Sequence, residues 1–301
     1  MKGRARVAAF AAALLAACTP AQSAAAPTLT ARTTAVVSAT PAPTATPAPT
    51  ATPRPSPHVF VIVMENTGLD RALASASIGA LAQRYALFTD YHAVSRPSLP
   101  NYLAMTSGST WGISDDGYHA LPATGLGAQL TTAGISWRAY MEGMTAAGCM
   151  RSPYPYALKH DPFAYYGGAC PANVVPFEDL AADLNAATPG FVWITPGLCH
   201  DAHDCAIDQA GAWLDDQVSR IVSSKAWNER SALFVAFDEG DGNDANLVPL
   251  IVATGRGLRG QIATPYDHYA LLATIEDAFG LPRLGAAAQA KPIAEVLAAL
   301  E

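Results

Sequence analysis

Three stretches of this chain, HVFVIVM at 58–64, ALFVAF at 232–237 and LVPLIVAT at 247–254, are apolar at nearly every position. A strand with one wet face alternates polar and apolar residues. A run rich in Val, Ile, Leu and Phe without alternation suits a strand buried on both faces, as in a parallel sheet covered by helices. Residues 86–92, 135–141 and 191–195 read as further strands. Between them, 78–85 has helical spacing, Pro100 can open a helix over 100–106, 208–227 is long and amphipathic, and 268–279 reads as a helix closed by Gly280. Strands alternating with helices predict a layered α/β domain with a mostly parallel central sheet. In such sheets ligands collect beyond the carboxyl ends of the strands.

This pattern begins only at about residue 58. Lys2, Arg4 and Arg6 precede an apolar run over 7–17, too short for an ordinary spanning helix, which is the pattern of a secretory signal. The run ends in Leu15-Ala16-Ala17-Cys18, similar to a bacterial lipobox. It predicts a signal peptide over 1–17 and a lipidated Cys18, with ordinary cleavage near residues 24–26 as the alternative. Residues 18–57 are rich in Ala, Thr and Pro and cannot bury enough surface to offset their ordering entropy, so they read as a disordered tether, open to O-glycosylation. The expected product is an exported protein, either secreted or held by Cys18 on the outer face of a membrane, with one domain over 58–301 acting as a monomer. Net charge is −7, from 18 Lys+Arg against 25 Asp+Glu, with no basic cluster, which argues against a nucleic-acid partner.

Beyond Cys18 the cysteines are Cys149, Cys170, Cys199 and Cys205. An even number in an exported chain suggests disulfides, and short loops favour Cys149–Cys170 and Cys199–Cys205. A metal site is the competing reading, but neither pair has the Cys-x-x-Cys spacing of structural zinc.

Charged residues are scarce, yet they recur where strands end. The first strand runs into Glu65-Asn66, the second into the segment holding Arg96, Ser98 and Asn101, 191–195 into Asp201 and His203, and 232–237 into Asp238-Glu239; His268 opens the last helix. Carboxylates suit a hard divalent cation, and His widens the choice to zinc or iron. A Ser at a helix start beside a cation can attack as an alkoxide, while helix amides and Asn101 hold the oxygens on which charge builds. Taken singly, each residue has a bland reading. Glu65-Asn66 would cap a turn, Ser98 would be an N-cap, Asp201 and His203 would lie in a solvated loop, Asp238-Glu239 would form a surface turn, and His268 would sit in the core. Recurrence at four strand ends favours a common site.

The segments VIVMENTG, SRPSLPNYLAMTSG, HDAHDCAIDQAGAWLDDQV, FVAFDEGDG and DHYALLATIEDAFGLP resemble, in order, the phosphoesterase family of bacterial acid phosphatases and phospholipases C, within the alkaline-phosphatase-like superfamily. The resemblance implies a three-layer alkaline-phosphatase-like fold. It is closest to small secreted acid phosphatases acting on phosphatidylinositol 3-phosphate. It implies that Ser98 is the nucleophile that becomes phosphorylated and that Asn101 lies near the phosphate. It further implies a divalent metal ion on Glu65, Asn66, Ser98, Asp238 and Glu239, with Asp201 as ligand or support. His203 and His268 would bind phosphate or move protons, and His160, in Lys159-His160-Asp161-Pro162, is a further phosphate-binding candidate. Arg96 stands where relatives often have His, and could clamp phosphate oxygens. Asp238-Glu239 stands where zinc phosphatases of the superfamily have Asp-His, which suits a harder ion or a single metal. The implied activity is phosphomonoester hydrolysis. The alternatives are a phospholipase C-type phosphodiesterase and a non-catalytic surface lipoprotein that binds a ligand.

Overall fold

The structure, a computed structural model, describes residues 56–151, 153–242 and 245–301. The expected signal peptide, Cys18 and nearly all of the tether lie outside the described residues. In chain order the elements are β1 (His58–Met64), α1 (Leu69–Ala74), α2 (Ala76–Arg84), β2 (Ala86–His92), α3 (Ser98–Ser107), α4 (Leu126–Thr132), β3 (Trp137–Met141) and β4 (Val174–Pro176). There follow α5 (Leu180–Asn185), β5 (Phe191–Thr195), α6 (Ile207–Val222), β6 (Ser231–Phe237), β7 (Leu247–Thr254), β8 (Gly260–Ile262), β9 (Tyr266–Asp267), α7 (His268–Phe279) and α8 (Ala294–Leu300).

The strands form one sheet in the order β4-β3-β5-β1-β6-β7-β2-β8, with β9 beside β2. Only β7 runs against its neighbours; the other pairings are parallel. This is the mostly parallel α/β sheet that the apolar runs demand, with β1 and β6 at its centre and buried almost throughout. Each buried Val, Leu, Ile or Phe there contributes roughly 1.5–3 kcal/mol relative to exposure.

Helices cover the sheet for legible reasons. α6 buries Ala210, Leu214, Val218 and Ile221, an i, i+4, i+8, i+11 stripe. α3 is buried at every position and stops at Gly108, whose φ of 68° is a left-handed conformation that Gly adopts without strain. α7 starts where the Asp267 carboxylate accepts from Ala270 N at 2.8 Å. The loops carry disulfides Cys149–Cys170 and Cys199–Cys205, the pairs favoured by spacing. No helix among the described residues is long and apolar enough to cross a membrane.

Candidate functional site

The site follows from register. Met64 of β1 pairs with Phe237 of β6, so the next residues, Glu65 and Asp238, leave the sheet side by side. Asp238 N donates to Met64 O at 2.9 Å and Glu65 N to Asp201 O at 2.8 Å, which ties the ends of β1 and β6 to the loop after β5. Two residues at these turns have positive φ, Asn66 at 42° and Ala202 at 84°. Such backbone costs energy outside glycine and clusters at sites where the surroundings enforce it.

Ser98 opens α3, and its Oγ donates to Glu65 Oε2 at 2.9 Å, buried from water. Tyr102, one helical turn on, donates a short hydrogen bond to Glu65 Oε1. His160 completes the group: its Nε2 lies 3.2 Å from Glu65 Oε2 and its Nδ1 3.4 Å from Asp201 Oδ2. The His160 ring stacks on Tyr102 with centroids 5.3 Å apart. Glu65, His160 and Asp201 each offer a ligand atom within 4.8 Å of the others, and all three are buried.

Electrostatics mark the cluster as short of positive charge. Burial would raise Glu65, but the His160 ring, the Tyr102 hydroxyl and Lys159 outweigh it and hold the carboxyl below its usual range. Burial and the charges of Glu65 and Glu239 push Asp238 well up. Burial and Glu65 likewise raise Asp201, and raise Glu239 to about 7 against the pull of Arg96. Burial disfavours the His160 cation, yet Glu65 and Asp201 override it and lift the ring to about 10. Asp201 Oδ2, Asp238 Oδ2 and Glu239 Oε2 are buried without a hydrogen bond among the described residues. Buried carboxylate oxygens that repel one another, with cationic neighbours no closer than 3.4 Å, are what a divalent cation satisfies, so the donor set fits a metal ion.

The remaining candidates fall into distinct places. Asp238 Oδ1 accepts from Asn66 N at 3.0 Å and from Glu239 N at 2.6 Å, so Asn66 supports the turn through its backbone. Arg96 lies 3.6 Å from Glu239 Oε2 and donates to Gly240 O. His203 stands at the rim, donating its backbone N–H to Asp201 Oδ1 at 2.7 Å, with its ring 2.7 Å from Asp204. Asn101, expected near the phosphate, turns its amide to backbone: Oδ1 accepts from Val94 N and Ser95 N, and Nδ2 donates to Ser95 O and Pro97 O. Its amide is fully committed to the loop that presents Ser98. His268 is buried between Tyr91 OH at 2.8 Å and Asp238 O at 2.7 Å, and burial pulls it down to about 4 despite the Asp238 carbonyl. Both ring nitrogens are thus engaged, and a neutral ring braces the Asp238 turn.

Three site residues escaped the sequence reading. Tyr102 had a signal, since i, i+4 spacing from Ser98 puts both on one helix face. Asp116 accepts from Leu99 N at 3.0 Å and Lys159 lies 3.1 Å from Asp116 Oδ2; Asp116 sits in a bend and Lys159, read from the sequence only as the neighbour of His160, in a single 3-10 turn (Leu158–His160), both too short to show periodicity.

A family model described as the Phosphoesterase family matches residues 74–282. An acid phosphatase of Penicillium chrysogenum, named as phosphate-repressible, is 32% identical over 243 residues, covering 74% of this chain and 59% of the relative. A probable acid phosphatase of Kluyveromyces lactis is 30% identical, covering 75% and 59%. The chain thus spans about three-fifths of the length of these two relatives. A phosphatidylinositol-3-phosphatase of Mycobacterium tuberculosis is 30% identical, covering 79% of this chain and 82% of the relative. Among solved structures, a Vibrio parahaemolyticus protein of the alkaline phosphatase superfamily aligns with a TM-score of 0.52 at 12% identity, covering 74% of this chain and 66% of that one. A lipoteichoic acid synthase of Listeria monocytogenes aligns at 0.53 and 10% identity, covering 79% and 75%. At such identities the likeness concerns the fold alone, which is that of the alkaline phosphatase superfamily.

Proposed function

We propose that this chain, which belongs to the Phosphoesterase family, is a metal-dependent phosphomonoesterase that works through a phosphoserine at Ser98. One observation carries the reading: Ser98 Oγ, at the start of a buried helix, lies 2.9 Å from an acid held below its usual pKa range and surrounded by further buried carboxylates.

Glu65, Asp201 and His160 would hold the cation, with Asp238 and Glu239 beside them. When bound, it supplies Lewis acidity that favours the serine alkoxide over the alcohol. The protein's own groups do the rest. Glu65 accepts the hydroxyl hydrogen and aims Oγ. Tyr102 fixes the Glu65 carboxylate from the other side. Asn101 braces the loop ahead of Ser98, and His268 braces the Asp238 turn. Arg96, 3.6 Å from Glu239 Oε2, and Lys159, 3.3 Å from His203 Nε2, would stabilise charge on phosphoryl oxygens. His203, at the rim, would give a proton to the leaving alcohol once its Nε2 turns from Lys159. Water then cleaves the phosphoserine.

The domain at 58–301 is read as the catalytic unit of an exported protein, a location supported by its two disulfides. Anchoring by a lipidated Cys18 remains part of the proposal. Resemblance to the mycobacterial relative supports phosphatidylinositol 3-phosphate as one substrate. A phosphodiesterase reading has support in the open cavity of about 560 Å³ bordered by Asn66, Arg96 and Glu239, which leaves room for a second ester group.

The test compares p-nitrophenyl phosphate with bis-p-nitrophenyl phosphate, with and without chelator, in wild type and Ser98→Ala. Faster monoester turnover is expected, lost with chelator and reduced at least about 1,000-fold in the variant. Acid quenching during turnover of a labelled monoester should trap phosphate on Ser98. Faster diester turnover would favour the diesterase, and full activity of Ser98→Ala would refute the nucleophile.

A further inference from the structure

A cavity of about 520 Å³ opens beside the cluster, on the side of Lys159 and His203. Its floor is one residue removed from the chemistry in two directions. Asp116 Oδ1 accepts from Leu99 N, next to Ser98, and Lys159 precedes His160, the partner of Glu65. Lys159 Nζ bridges this floor, 3.1 Å from Asp116 Oδ2 and 3.3 Å from His203 Nε2. An alcohol that left toward His203 would enter this cavity, which His203 and Lys159 line.

The walls are unlike the floor. Tyr118, Tyr154, Tyr156 and Tyr165 line them, together with Leu158 and Leu198. Tyr118 packs on Tyr165 with ring centroids 5.2 Å apart. Tyr156 OH donates to Cys149 O at 2.6 Å with Asp161 Oδ2 3.1 Å away, and Cys149 is bonded to Cys170, so that wall is preset. Tyr154 and Tyr118 stay 67% and 44% exposed, two of only four large apolar side chains left so open among the described residues. Aromatic faces held open at the rim of a polar floor cost little entropy to use and stack on any ring with a flat face.

We infer that this tyrosine-lined cavity is the leaving-group subsite, selecting monoesters whose alcohol carries a ring over those with an open-chain alcohol. The assignment rests on the phosphomonoesterase reading and adds its substrate class. The ring lies against Tyr154 and Tyr118, with ring hydroxyls or heteroatoms toward Lys159 and Asp116. A nucleoside offers a planar base and an inositol headgroup a puckered ring whose C–H bonds meet an aromatic face; both are rings bearing polar groups, and separate substrates distinguish them.

The test measures kcat/KM of the full chain for adenosine 5′-monophosphate and for myo-inositol 1-phosphate, each against glycerol 3-phosphate. At least one ring ester should be preferred about tenfold, and Tyr154→Ala should bring that ratio close to one. The ring ester that carries the preference names the source. Equal kcat/KM for all three esters, in an enzyme that Ser98→Ala inactivates, overturns the subsite and leaves the parent reading standing. Should wild type turn over none of them, calorimetric binding of the three esters to Ser98→Ala protein decides. A ring ester that binds about tenfold tighter than glycerol 3-phosphate, weakened about tenfold by adding Tyr154→Ala, supports the subsite; equal affinities, or affinities indifferent to Tyr154, overturn it.

Discussion

Glu276 offers a test of the electrostatics away from any metal. It lies buried on α7, where Oε1 accepts from Leu284 N at 2.8 Å and Oε2 has no hydrogen bond among the described residues. Burial pushes its carboxyl from 4.5 up to about 7; the Leu284 amide, Arg283 and the Gln129 side chain oppose this, and Asp277 adds to it. A carboxyl raised on folding binds its proton more tightly in the native state. Its stabilising contribution is therefore complete below about pH 4.5 and is lost as pH rises through about 7. The interval corresponds to roughly 3 kcal/mol, at 1.36 kcal/mol for each tenfold change in proton affinity. Glu276→Gln keeps an oxygen for Leu284 N and removes the titration. Urea unfolding with disulfides intact, at pH 4.5 and at pH 7.5, measures the difference. The variant should match wild type within about 1 kcal/mol at the lower pH and exceed it by up to roughly 3 kcal/mol at the higher, a midpoint shift on the order of 1 M. An equal difference at both pH values would refute the reasoning.

Further outcomes follow from single contacts. Tyr102→Phe removes one donor from Glu65, so the acid limb of the kcat/KM profile should move to higher pH and kcat should fall roughly tenfold or more; an unmoved limb counts against Glu65 as the ionised partner of Ser98. Asn101→Ala deletes four hydrogen bonds to the loop ahead of Ser98 and should lower stability by about 2–4 kcal/mol in urea unfolding, with kcat falling as the serine loses its aim. Gly285→Ala adds a Cβ 2.3 Å from Gly108 O at a φ of 47°, and should lower the thermal midpoint through a loss of about 2 kcal/mol or more. A variant as stable as wild type would show that the contact at the end of α3 yields.

The strands β1, β6 and β7 were legible because doubly buried strands must be continuously apolar, a local property of the chain. Glu65 and Asp238 stood out for a related reason: in a chain poor in charge they follow apolar runs directly, whereas Ser98 and Asp201 lie six residues past the ends of β2 and β5. What local pattern does not carry is distance between segments. The Met64–Phe237 register sets Glu65 beside Asp238, and a 3-10 turn (Leu158–His160) in the long connection between β3 and β4 delivers His160 to the centre of the acids rather than to their edge. Periodicity also cannot say where a side chain's hydrogen bonds go, so Asn101 and His268, whose residue types suggest contact with substrate, are held by backbone and by Tyr91. The reversal of β7 and the tyrosine walls of the second cavity likewise depend on long-range pairing. The chain by itself determined which residues had to leave the sheet at one edge; only tertiary packing decided which of them touch, because contact depends on register and loop path, which composition and spacing do not encode.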